Sequence, residues 1–139
     1  MNSQDCVVDA SFAASWCLPD EQMSGRIERI AETLRGGVIH APELWMVELT
    51  NALLRAERRK RVSSSSVDAF LAEISLIKRR FYSVSDDLSE AMILSRRYQL
   101  SVYDALYIAL AARLGLPLAT LDTQQSFAAK SEGVALLLS

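Results

Sequence analysis

The sequence predicts an α/β fold, with a central, mostly parallel sheet of four to five strands and helices on both faces. It is a three-layer α/β/α domain spanning residues 1–139. Three observations lead there. Short apolar runs bounded by turn residues alternate with stretches of helical periodicity along the whole chain. Strands separated by helices pair in parallel, and such a sheet needs cover on both faces. The 139 residues, half of them hydrophobic, are enough for one core and contain no repeat or linker.

Taken in order, Cys6, Val7 and Val8 form a short apolar run that ends in Asp9 and reads as a buried first strand. A helix follows over 12–18 and is stopped by Pro19. Another is expected over 24–34, where Ile27, Ile30, Ala31 and Leu34 recur at helical spacing before Gly36 and Gly37. Residues 38–41 read as a second strand. Pro42 suits the first position of a long helix that runs to about Arg59. The serines at 63–66 offer a turn and an N-cap for a helix over 67–79, and 81–84 alternate like a third strand. Ser85, Asp86 and Asp87 start a helix over 88–98 that ends in Arg96 and Arg97, matching the macrodipole. The next helix, opened by Ser101 and closed by Gly115, carries Asp104 as its only charge between 99 and 112 and is apolar on every face. Residues 116–122 read as a strand with Pro117 at its start and Asp122 at its carboxyl end, and 134–138 as a last strand.

Composition removes several function classes. No apolar run is long enough to span a bilayer, and the first residues lack the basic stretch of a signal peptide, so a cytoplasmic protein without a membrane partner is expected. His40 is the only histidine, which argues against multi-histidine zinc sites and weakens a Ser-His-Asp reading; it is taken as a strand-end residue. Cys6 and Cys17 lack CxxC spacing and read as buried reduced thiols. The net charge of −2 does not advertise nucleic-acid binding. Basic residues nevertheless cluster at 55–61, 78–80 and 96–97. These are solvated helix faces, or a phosphate-binding rim if they ring a catalytic site.

Four acids stand where a carboxylate is costly. Asp9 ends the first strand, at the usual ligand crevice of an open α/β sheet; it can also cap the following helix, as can Ser11. Glu48 interrupts the row Leu44, Glu48, Ala52 on a helix, as an edge residue, a partner of Arg55 or another cation, or a site residue. Asp104 fits a capping box with Ser101 equally well as a functional role. Asp122 shares a strand face with Thr120. These positions can converge at one crevice, where four carboxylates stay ionised only around a cation. Oxygen ligands without a histidine or cysteine cluster suit Mg²⁺ or Mn²⁺, which can activate water for attack on a phosphodiester.

The order Val7-Val8-Asp9-Ala10-Ser11, then Glu48 within 43–53, then Tyr103-Asp104-Ala105-Leu106-Tyr107, then Thr120-Leu121-Asp122 resembles PIN-domain proteins, most of all the ribonuclease toxins of the VapC type. The resemblance covers nearly the whole chain. It implies a PIN-like fold and a Mg²⁺-dependent (or Mn²⁺-dependent) endoribonuclease, the toxin of a type II toxin–antitoxin pair. Asp9, Glu48, Asp104 and Asp122 would then be the catalytic and metal-binding acids, with Ser11 and Thr120 as supporting hydroxyls. It further implies an RNA substrate, a cognate small antitoxin whose tail blocks the crevice, and a homodimer. After the fourth acid come Thr123, Gln124 and Gln125, where many relatives carry another acidic or amide group. Two rivals remain. One is a catalytically inactive module of the same fold, in which the acids serve as caps and ion pairs. The other is a receiver-like Mg²⁺-binding phosphoacceptor with Asp86 or Asp87 after the third strand, although no acidic pair follows Asp9.

Overall fold

Strand β1 (Cys6–Val8) lies at the heart of a four-stranded parallel sheet and is fully buried. The computed structural model describes residues 5–18, 32 and 36–137. Helix α1 is Ala10–Ser15. The helix expected over 24–34 falls almost entirely outside the described residues. Then come β2 (Ile39–Pro42), α2 (Trp45–Arg58), α3 (Ser64–Ile74) and β3 (Arg79–Tyr82). A single 3₁₀ turn at Val84–Asp86 leads to α4 (Leu88–Tyr98), α5 (Val102–Leu114), β4 (Leu118–Ala119) and α6 (Thr123–Ser131).

The sheet order is β3-β2-β1-β4, every pairing parallel. Successive connections therefore leave β1 in opposite directions, towards β2 and eventually towards β4. That reversal opens a crevice beyond the carboxyl end of β1, where Asp9 follows. The order is not the 2-1-3-4-5 arrangement of receiver domains, which counts against that rival.

Helix α5 is the centrepiece. All seven residues from Ala105 to Ala111 are buried, and the helix packs on β1, β2 and β4 as well as on α4 and α6. Alanine at 105, 109 and 111 lets backbones approach, while Leu106, Ile108 and Leu110 fill the space between. Ser101 caps α5, its Oγ accepting the Asp104 N–H at 3.1 Å; Gly115 ends it with a left-handed φ of 67°. Away from α5, α1 packs against α2, and α2 against α3.

Several boundaries differ from expectation. Pro42 is the last residue of β2, not the first of a helix: it pairs with Tyr82 beyond the end of β1, and the ladder continues through the Glu43 N–H to the Tyr82 carbonyl, so no proline N–H is needed. The helix expected to reach 79 stops at Ile74, and β3 starts at Arg79, whose guanidinium donates to the Ile74 carbonyl at 3.0 Å. The strand expected over 116–122 contracts to two residues. The strand expected at 134–138 reduces to one parallel bridge between Leu118 and Leu136. Both cysteines are free thiols: Cys6 is fully buried, which pushes it up to about 12, while Cys17 is only half-buried. His40 is buried within β2, between the Asp5 carboxylate (3.1 Å) and the Tyr82 hydroxyl (2.7 Å). Among the described residues, no helix is long and apolar enough to cross a membrane.

Candidate active site

Asp9 sits at the carboxyl end of β1 because the strand is held on one side by β2 and on the other by β4, with the Asp9 N–H bonded to the Ala119 carbonyl at 3.0 Å. It occupies the N-cap position of α1, yet its side chain makes no capping bond. The carboxylate instead accepts the Ser11 hydroxyl, and its Oδ2 lies 3.3 Å from Thr120 Oγ1. Only 5 % of Asp9 is exposed. Burial pushes its carboxyl up to about 6; the Ser11 hydrogen bond opposes this, and the negative charges of Asp104 and Glu48 add to it.

Glu48 projects from the first turns of α2 and is half-buried. Its Oε1 accepts the Tyr107 hydroxyl at 2.6 Å, so its observed partner is a buried phenol on α5. Burial raises the Glu48 carboxyl; the Tyr107 bond lowers it, and Asp104 raises it again. Tyr107 is itself held far above the usual phenol range, first by burial and then by the Glu48 charge. Asp104, in the first turn of α5, is likewise raised, chiefly by burial and then by Asp122, with Ser101 opposing. Capping and siting coexist here: Ser101 supplies the cap, and Asp104 stays in the field of the other acids.

Asp122 lies three residues past the end of the short β4 and is exposed. It caps α6, its Oδ1 accepting the Gln125 N–H at 2.8 Å. Pairwise effects thus link Asp9 to Glu48 and Asp104, Glu48 to Asp104, and Asp104 to Asp122, while hydrogen bonds tie Ser11 to Asp9 and bring Thr120 beside it. Among the described residues, no three carboxylate, imidazole or thiol groups already form a coordination cluster. The donor set is all oxygen and carries excess negative charge, a chemistry that suits a hard divalent ion.

Two neutral residues that sequence reasoning did not single out hold the acids in place. Tyr107 lies three residues after Asp104 on α5 and orients Glu48. Gln125, fully buried, accepts the Thr120 hydroxyl at 2.6 Å through Oε1, donates to the Asp104 carbonyl at 2.9 Å through Nε2, and gives its backbone N–H to Asp122. One amide therefore joins the end of β4, the start of α5 and the start of α6. The available signal was spacing: an N-capping Asp122 puts Gln125 at the third helical position, turned inward.

Comparison with known proteins bears on the family and the fold. The PIN domain family profile matches residues 6–131. The chain is 32% identical over 120 residues to "Ribonuclease VapC3" of Pyrobaculum aerophilum, covering 85% of this chain and 89% of that protein. It is 33% identical over 119 residues to "Ribonuclease VapC3" of Mycobacterium tuberculosis, covering 86% and 83% respectively. The fold is shared with a crystal structure of PAE2754 from Pyrobaculum aerophilum, with a TM-score of 0.65 and 24% identity over 99% of this chain and 91% of that one. It is also shared with FitAcB from Neisseria gonorrhoeae, with a TM-score of 0.56 and 17% identity over 94% of this chain and 95% of that one. With the family profile spanning most of its length and ribonuclease relatives matching most of it at about a third identity, this chain belongs to the PIN-domain family, in the VapC branch.

Proposed function

We propose that this protein is a metal-dependent endoribonuclease, the toxin of a toxin–antitoxin pair, which hydrolyses RNA phosphodiester bonds. The observation that carries the reading is Asp9: an acid only 5 % exposed, whose neighbouring charges are two further acids, at the carboxyl end of the central strand. Such a cluster is destabilising unless it serves a cation. Asp9, Glu48, Asp104 and Asp122 would hold Mg²⁺ or Mn²⁺. The bound ion supplies Lewis acidity at the phosphodiester and lowers the pKa of water.

The chain's own groups do the rest. Ser11 fixes one face of the Asp9 carboxylate. Tyr107 turns Glu48 towards the crevice and leaves its second oxygen free to bind the ion or orient the attacking water. Burial keeps the basicity of Glu48 above that of a solvated glutamate, which suits it to accept a proton. Asp122, which is exposed, completes the negative charge where an RNA backbone would enter. VapC-branch membership supports the remaining parts of the reading: a small cognate antitoxin, a homodimer and a cytoplasmic setting.

The purified chain is expected to cleave RNA with Mg²⁺ or Mn²⁺ and to lose that activity with chelator. Asp104→Asn is expected to cost well over the roughly hundredfold typical of residues that only support a ligand. Cleavage that survives both treatments would reject the metal-carboxylate mechanism. An inactive module of the same fold explains Asp122 as a cap but leaves the burial of Asp9 without a purpose. A receiver-like role for Asp87 is countered by its bidentate pairing with Arg113.

A further inference from the structure

The three basic clusters of the sequence have different surroundings. In the second, Arg79 caps the end of α3, and Arg80 lies over the Tyr82 ring at 5.3 Å. In the third, Arg97 pairs with Glu132 at 2.7 Å. In the first, Arg55, Arg59 and Arg61 line one groove of about 550 Å³, together with Ser11 and Asp122 of the acid crevice.

Helical geometry explains the alignment. Arg55 and Arg59 follow Glu48 by seven and eleven residues, so all three fall within about 20° of the same face of α2. Their Cα atoms lie about 10 and 16 Å along the axis from Glu48. Arg61 is brought back to the groove by the end of the helix. Lys60 adopts a left-handed φ of 60°, its N–H bonds the Glu57 carbonyl at 3.0 Å, and the Arg61 N–H bonds the Ala56 carbonyl at 2.9 Å. The same groove is lined by the apolar Ala52, Ala56 and Leu121.

We infer that this groove is the track for the RNA strand on one side of the scissile phosphate, with Arg55 and Arg59 receiving successive backbone phosphates and Leu121 lying against a base. The inference rests on the nuclease reading and names the side from which substrate is held. Guanidinium groups match phosphate oxygens in a planar fork, and an apolar lining tolerates any base. An acidic peptide would satisfy the arginines, but its carboxylates would meet Asp122 and Asp9 at the other end. A phosphodiester strand would instead run from the arginines to acids that, in the nuclease reading, would hold a divalent ion.

The test measures binding of a fluorescent single-stranded RNA to the full chain in chelator, where cleavage is off, across a salt series. Arg55→Ala with Arg59→Ala is expected to weaken binding at least tenfold. The slope of log affinity against log salt should fall by about 0.7 for each lost phosphate contact. Arg55→Lys with Arg59→Lys should keep most of the slope. Lys78→Ala with Arg96→Ala, equal in charge and exposed elsewhere, should change neither quantity. In cleavage, the alanine pair should raise KM and leave kcat nearly intact. An unaltered slope in the alanine pair, or an equal loss in the Lys78 and Arg96 pair, would overturn the groove assignment. Loss of binding to a co-purifying acidic protein with RNA binding intact would also overturn it. If the unsubstituted chain cleaves no RNA, the nuclease reading fails instead; normal cleavage with unchanged KM in the alanine pair sinks only the track.

Discussion

Asp9 and Asp87 are equally buried, each 5 % exposed, and live in opposite electrostatic settings. Asp87, at the start of α4, is gripped by both nitrogen arms of Arg113 on α5, at 2.8 and 3.0 Å. Arg113 also lies over the Tyr82 ring at 5.7 Å. Asp9 is met by hydroxyls and faces other acids. The first is a closed structural pair. The second is a charge left to be balanced from outside. Comparing them teaches that this fold can supply an arginine to a buried acid, as it does for Asp87, and that among the described residues it supplies the hydroxyls of Ser11 and Thr120, not an arginine, to Asp9.

The sharpest way to break the comparison is to neutralise each acid in metal-free protein at pH 8. Asp87→Asn should destabilise by about 2 kcal/mol, because Arg113 loses a charge-assisted bidentate partner but, 40% exposed, can rehydrate. Asp9→Asn should stabilise by about 1–2 kcal/mol, since ionised Asp9 costs the folded state more than the unfolded one. Denaturant midpoints decide this; changes of the same sign would dissolve the contrast.

The same reasoning sets a pH dependence. Asp9 titrates near 6 when folded and near 3.8 when unfolded, so between those values the folded state binds more protons. Its contribution to stability is fully present below about pH 4 and is lost as pH rises through about 6. Glu48 and Asp104 are shifted in the same direction. Thermal melts in chelator should therefore lose stability across that window, and Asp9→Asn should flatten the loss. Saturating Mg²⁺ should restore about 2–3 kcal/mol at pH 8 if present at a hundredfold its Kd. A melting temperature indifferent to Mg²⁺ would contradict the shared cation.

A smaller effect is expected at Gln125. Gln125→Leu preserves bulk but removes the links to Thr120 and the Asp104 carbonyl. Stability should drop by about 1–3 kcal/mol, and cleavage by about tenfold to a hundredfold, as for residues that orient ligands. Unchanged cleavage would show that capping and α5 packing suffice to place the acids.

Much of this was readable from the chain. The burial of α5 followed from its lack of charge around Asp104, and α4 was expected at 88–98, where it is found. Asp9 could be placed because an apolar run ending in an acid has few other meanings. What could not be read were long-range pairings. Nothing near Asp87 indicates that Arg113, 26 residues away, will reach it, and nothing near Glu48 points to Tyr107. Pro42 misled because helix starts and strand ends both tolerate a missing N–H; the difference lies in β1 ending before it. The two-residue β4 was overdrawn because Thr120, Leu121 and Asp122 continue an extended-looking pattern while actually turning into the cap of α6.

The adjacency of β1 and β4 bears on how activity arises as the polypeptide is made. Asp9 emerges from the ribosome well before Ala119, which accepts its backbone N–H, and Gln125, which bonds Asp122 and the Asp104 carbonyl; both follow more than a hundred residues later. Contacts of such sequence separation form late and together. A nascent chain halted before residue 119 therefore carries several of its acids but lacks the neighbour that seats the first of them.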